Sequence, residues 1–120
     1  MSYFLLSEPH EKPRIADLRK HVWRFIEDKW EEVAAELGLE DEDDVAEKLD
    51  HIREHRRDDK SMASLDILKL WLKSQRERAT WAVLLEALQR VNLQEATSSV
   101  RSFLSGKYIF EVLGLQKFIH

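Results

Sequence analysis

The sequence predicts an all-α domain, a bundle of six short helices, and three observations carry that prediction. Only three glycines and two prolines punctuate 120 residues rich in Leu, Ala, Glu, Lys and Arg, a composition of helices and tight turns rather than of a sheet. Apolar residues recur at three- and four-residue spacing along most of the chain. Charged residues make up 35% of the sequence, which suits a bundle whose outer faces are all wet. At this length the chain forms one domain, large enough to bury a core without staples.

Residues 65–90, LDILKLWLKSQRERATWAVLLEALQR, are the clearest part of the pattern. Leu65, Leu68, Trp71 and Leu72 trace one helical stripe, and Trp81, Leu84, Leu85 and Leu88 trace a second. Between them lies Lys73-Ser74-Gln75-Arg76-Glu77-Arg78, a joint with no apolar residue to bury. Helices joined so tightly must fold back or turn sharply, and their stripes then share one core.

From the N-terminus, Pro9 and Pro13 favour an extended lead-in. Ile15, Leu18, Val22, Phe25 and Ile26 then form the first helical stripe, with Trp23 beside it. A corner is expected at Glu27-Asp28-Lys29, with Asp28 as N-cap. Trp30, Val33, Ala34 and Leu37 form the second stripe, which stops at Gly38, where a left-handed cap needs no Cβ. Asp41 is the expected cap of a third helix holding Val45, Leu49 and Ile52, and the acids beside it favour that helix's positive end. Residues 53–60 carry charges of both signs and read as a loop or frayed turn, and Ser61 is the expected cap of the fourth helix. Asn92 and Glu95 have capping-box spacing for a sixth helix that buries Leu93, Ala96, Val100 and Leu104 or Phe103 and stops near Gly106. The predicted organisation is therefore an extension over 1–13, the bundle over 14–106 and a short apolar C-terminal extension over 107–120. Tyr108, Ile109, Phe110, Val112, Leu113, Leu115, Phe118 and Ile119 are too apolar for a solvated end and are expected to pack back on the bundle, with Tyr3 to Leu6, the alternatives being a partner-binding segment or part of a longer neighbouring region.

Two segments resemble the death-domain family. The order of leucines, Trp71, charged joint, Ala79-Thr80 and leucines is similar to that family's fourth and fifth helices. The run Trp30-Glu31-Glu32-Val33-Ala34-Ala35-Glu36-Leu37-Gly38-Leu39 resembles its second helix. The likeness spans roughly residues 15–105 and is closest to adaptor-type death domains, such as that of the Fas-associated adaptor. It implies a six-helix antiparallel Greek-key bundle. The family often has a glycine in the corner before Trp30 and this chain has none, so the first two helices are expected to run on more continuously through a kink. Trp23 and Trp81 stand where the family has smaller residues, and one of them is expected to be partly exposed at an interface.

Little in the sequence speaks for catalysis. There is no cysteine, which excludes disulfides, thiol catalysis and cysteine-ligated zinc. No glycine-rich phosphate loop or nucleophile elbow appears. His51-Ile52-Arg53-Glu54-His55 spells the inverted zinc-protease signature, and on a helix His51 and His55 share a face with Glu54 as a base. A five-residue match with no third ligand is weak, and the preferred reading is a solvated charged turn, with no metal and no cofactor. A net charge of −4 argues against a general nucleic-acid binder. Tyr3-Phe4-Leu5-Leu6 is too short for a signal-peptide core and no stretch suits a membrane span, so a cytoplasmic protein without membrane insertion is expected.

The charges themselves are more telling. Arg14, Arg19, Lys20 and Arg24 make the first helix basic, joined by Lys69 and Lys73 of the fourth. Glu31, Glu32, Glu36, Asp41, Glu42, Asp43, Asp44 and Glu47 make the second and third acidic. Opposite blocks on one small domain steer association, and unlike patches meeting head to tail generate rings or filaments. The resemblance implies such assembly, since death domains associate through three asymmetric contact types, one joining the first and fourth helices to the second and third. The expected function is a non-enzymatic adaptor that recruits other death-domain proteins, itself included, in apoptotic or inflammatory signalling. The expected contact residues are Arg19, Lys20, Lys69 and Lys73 opposite Glu31, Glu32, Asp41, Asp43 and Asp44. A second surface pairs Gln75, Arg76, Glu77 and Arg78 with the turn around Asn92 and Gln94 of a neighbour. The alternatives are a helical scaffolding domain without homotypic assembly and a small zinc hydrolase using His51, Glu54 and His55.

Overall fold

The computed structural model describes the backbone of residues 10–119 and the side chains of residues 10–106. Six helices stand in this order: α1 Ile15–His21, α2 Trp30–Glu36, α3 Asp43–His55, α4 Lys60–Gln75, α5 Trp81–Arg90 and α6 Gln94–Ile119. Two 3₁₀ segments, Trp23–Lys29 and Arg76–Arg78, join α1 to α2 and α4 to α5, and no strand occurs among the described residues. The helices form an antiparallel Greek-key bundle with α4 at its hub, packed on the first 3₁₀ segment, α1, α2 and α3. α4 buries Ala63, Leu65, Ile67, Leu68 and Trp71, more than one stripe, because neighbours cover it on several sides. α5 packs on α2 and α6, and α6 returns to α1. One cluster unites Leu18, Ile26, Trp30, Val33, Leu49, Trp71, Trp81, Leu88 and Val100.

The helix ends share a consistent logic. Gly38 sits at φ +79° and closes α2 in a Schellman motif, with the Leu39 N–H on the Ala34 carbonyl at 3.1 Å and the Gly38 N–H on Ala35 at 3.0 Å. Asn92, at φ +63°, does the same for α5: Leu93 N–H reaches the Leu88 carbonyl at 2.9 Å and Asn92 N–H reaches Gln89 at 3.0 Å. Asn92 is therefore the stop of α5 and not the cap of α6, whose first carbonyl, from Leu93, bonds Thr97 N–H. Thr80 caps α5 by accepting from Val83 N–H.

Other boundaries depart from the predicted ones for physical reasons. Val22 leaves helical geometry at φ −125°, which resets the phase of the residues after it. Val22 and Ile26 stay buried, but Phe25 turns outward and is 41% exposed. The 3₁₀ segment then runs straight into α2, so no extended corner remains for Asp28 to cap, and Lys29 holds that position without a side-chain capping bond, its Nζ donating instead to the Val91 carbonyl at 3.4 Å. Asp41 is tied into the preceding turn by its N–H on the Gly38 carbonyl at 3.2 Å, leaving extended Glu42 before α3. Asp59, not Ser61, caps α4, accepting from Met62 N–H at 3.0 Å. Residues 53–55 and 60 are helical, which reduces the expected loop to residues 56–59. α6 does not stop at Gly106 but continues to Ile119, since a glycine costs a helix about 1 kcal/mol relative to Ala without ending it. The expected packing of side chains 108–119 against Tyr3 to Leu6 lies outside the described residues.

Candidate protein-interaction surfaces

Pairing inside the chain sorts the charged residues into engaged and free. Arg53, read from sequence as part of a frayed turn, sits on α3 and gathers three carboxylates: Glu31 of α2 at 2.7 Å, Glu40 at 2.8 Å and Asp50 at 2.6 Å. The hydrogen bond Arg53 donates to Glu31 above all, with those it donates to Asp50 and Glu40, raises the Arg53 pKa above its ordinary value. Arg90 of α5 similarly reaches Glu36 at 3.6 Å and pairs with Glu86. Arg56 and Asp66 join the α3–α4 corner at 2.9 Å, and Arg14 meets Asp17 at 3.2 Å.

The unpaired charges are mostly acidic on α2 and α3 and basic on α1 and α4. Glu32, Asp41, Asp43, Asp44 and Glu47 of the α2–α3 region are exposed and carry no ion-pair partner among the described residues, nor do Lys20 of α1 and Lys69 of α4. Arg19 is exposed too and lies over the Trp23 ring, 5.7 Å from its centroid. Lys73, one helical turn beyond Lys69 on α4, is likewise exposed without an ion-pair partner among the described residues, and it lines a groove between α3 and α4 with Glu42, Asp44, Lys48 and Arg76. Two of the charge blocks thus meet within one molecule at that groove.

The residues of the second expected surface stand at the two ends of α5. Arg76, Glu77 and Arg78 are exposed in the 3₁₀ joint, with Gln75 half-buried, and together with Ser74 they line a shallow concavity. Arg76 holds φ +49°, a strained backbone for a residue with a Cβ. Asn92 and Gln94 are exposed at the opposite turn, beside a concavity of about 300 Å³ shared with Gln89, Leu93, Thr97, Ser98 and Arg101. Trp81 is buried, whereas Trp23 is the tryptophan left partly exposed.

Residues 14–104, which span all the helices up to the first part of α6, match the family model described as "Death domain". The chain belongs to the death-domain family. Nothing among curated proteins or among solved structures matched it. Death domains are protein–protein interaction modules of signalling, and this one is such a module. The zinc-protease spelling gains nothing from the geometry. His51 and His55 are exposed with ring centroids 5.7 Å apart, and His55 Nδ1 lies 3.0 Å from the His51 carbonyl. Among the described residues no group of three or more His, Asp or Glu side chains is placed to hold a metal ion, and no helix is long and apolar enough to cross a membrane.

Sequence reasoning missed Arg53 and Lys48 as determinants of the surface, and the stacking of Arg19 and Arg24 on Trp23. The signal for Arg53 was present: Asp50 lies three residues earlier on the same helical face. Its partners Glu31 and Glu40, 22 and 13 residues away, carried no such signal.

Proposed function

We propose that this death domain is a non-enzymatic, cytoplasmic adaptor of the adaptor type, recruiting other death-domain proteins and copies of itself in apoptotic or inflammatory signalling. The observation that supports this reading is the division of free charge: Arg19, Lys20 and Lys69 on α1 and α4 against Glu32, Asp41, Asp43 and Asp44 in the α2–α3 region. Such faces meet head to tail, because neither is complementary to itself. Lys73 extends the basic set only at its edge, and Glu31 contributes through Arg53 rather than directly. A second contact joins Gln75, Arg76, Glu77 and Arg78 to Asn92 and Gln94 of a neighbour.

Sedimentation over a salt series tests the first contact. Association weakens with salt, since exposed charges are screened beyond about 8 Å at physiological ionic strength. Asp43→Lys with Asp44→Lys abolishes it, as does Arg19→Glu with Lys20→Glu, while both monomers stay folded. Glu31→Gln leaves association nearly intact, because that carboxylate is held by Arg53. Mixing the two reversed variants restores assembly, through the intact patches and through the reversed ones. A chain that stays monomeric at every concentration is instead a scaffolding domain without homotypic assembly.

A further inference from the structure

Trp23 is fixed at a junction where an aromatic ring has an unusual use. Its indole N–H donates to the Ser61 carbonyl in the first turn of α4, which pins a half-buried ring on the 3₁₀ segment against the helix at the hub of the bundle. Two guanidinium groups rest on that ring, Arg19 from α1 at 5.7 Å from the centroid and Arg24 from the 3₁₀ segment at 5.5 Å. Neither arginine has a carboxylate partner among the described residues. A guanidinium over an indole face keeps its in-plane N–H donors free for a carboxylate while its long side chain is already ordered.

We infer that Trp23 is a positioning residue that holds Arg19 and Arg24 as a paired clamp for the acidic start of α3 in a second copy of this chain. This rests on the reading of the basic face given above and adds two residues to it. Each guanidinium lies within 6 Å of the same ring centroid, so one indole orders both forks. Asp43 and Glu47, one helical turn apart on α3, have Cβ atoms roughly 5–6 Å from each other and are both exposed and unpaired among the described residues. Asp44 stands beside them. Two carboxylates on one helical face match two ordered forks, whereas a lysine pair would offer point charges without that planar geometry. Ordering the arginines before contact removes part of the entropy that association otherwise costs.

The test uses the full chain and has two arms. In the first, NMR of the monomer at high salt reads the Arg19 and Arg24 side-chain protons. Ring-current shifts are expected for both in the wild type and their loss in Trp23→Leu; random-coil shifts in the wild type overturn the clamp. In the second, sedimentation compares Trp23→Leu, Trp23→Phe and Arg24→Gln with the wild type. Trp23→Leu, which changes no charge, is expected to weaken association about tenfold with an unchanged salt dependence. Trp23→Phe keeps a ring and recovers most of the affinity, and Arg24→Gln weakens association several-fold. Combining Trp23→Leu with Arg19→Gln costs less than the two losses taken separately, because the ring acts through the arginine. If Trp23→Leu does not fold, Trp23→Phe and Arg24→Gln decide: wild-type association by Arg24→Gln overturns the inference. If Trp23→Leu and Arg24→Gln associate as the wild type while Arg19→Glu with Lys20→Glu does not, the clamp fails and the charged-face reading stands. If the charge reversals also have no effect, both fail.

Discussion

Trp71 offers the sharpest test of the core, because two opposing effects meet on one side chain. It lies on α4 at the hub of the bundle with no exposed surface, and its indole Nε1 is buried without a hydrogen-bond partner among the described residues. Trp71→Ala empties the site and leaves a cavity, which costs about 3–5 kcal/mol. With a urea m-value on the order of 2 kcal/mol/M, the unfolding midpoint falls by about 2 M. Trp71→Phe is different. It removes part of the ring, and the cavity term at ~24 cal/mol per Å³ with the lost transfer energy comes to about 1–2 kcal/mol. It also removes an unpaired buried N–H that costs the folded state about 1–3 kcal/mol. The two nearly cancel, so Trp71→Phe should lie within about 1 kcal/mol of wild type. Urea titrations followed by circular dichroism read both variants. A Trp71→Phe midpoint lowered by about 1 M would refute the reasoning, because the full cavity and transfer loss would then stand with no offset from the buried N–H.

Two further perturbations concern the backbone and a single histidine. Gly38→Ala forces a Cβ into φ +79° and brings it 3.1 Å from a mobile Asp41 carboxylate oxygen, so the backbone strain dominates. A loss of about 1–2 kcal/mol is expected, and thermal unfolding that shows no drop in Tm counts against the Schellman closure of α2. His21 packs its ring on Phe103 at 4.3 Å, and burial, reinforced by Lys20 and opposed by Asp17, lowers its pKa below 6.5. A lowered folded-state value means that the unfolded chain binds the proton more readily, so stability is full above pH 6.5 and declines as pH falls through the window below it. His21→Phe keeps a ring against Phe103 and should flatten that decline; denaturant titrations from pH 7 to pH 5 that keep the same slope in the variant would reject it.

The helices and their buried faces were legible because burial on a helix has a period that the residue order records. Leu18, Val33, Leu49, Leu68, Leu84 and Val100 all stand in predicted stripes and all are fully buried. The caps were less legible, since several residues near each helix start have the same local chemistry and only the chain path selects one. Asp59 and Ser61 both suit the start of α4, and the turn at residues 56–59 places Asp59 where its carboxylate meets the Met62 amide. Asn92 illustrates the same ambiguity, because the side-chain chemistry that favours a cap also tolerates a left-handed backbone. Phe25 was misplaced because one residue, Val22, leaves helical geometry and shifts the face of everything after it.

The surface was legible by sign but not by availability, and for an association module availability decides. A carboxylate already held by Arg53 must give up hydrogen bonds before it meets another chain, whereas Asp43 has no ion pair to give up among the described residues. Exposed pairs are individually worth no more than about 1 kcal/mol, but three carboxylates on one guanidinium also fix the α2–α3 corner. That corner holds the free acids at the start of α3 in one orientation. The engaged charges therefore shape the acidic face while the free ones stand ready on it. The same division applies across the bundle, where the indole of Trp23 orders Arg19 and Arg24 without neutralising either. On both faces the residues that set the geometry differ from those that carry the unpaired charge. Net charge is therefore a poor guide to such a surface, because it weights Glu31 and Asp43 alike.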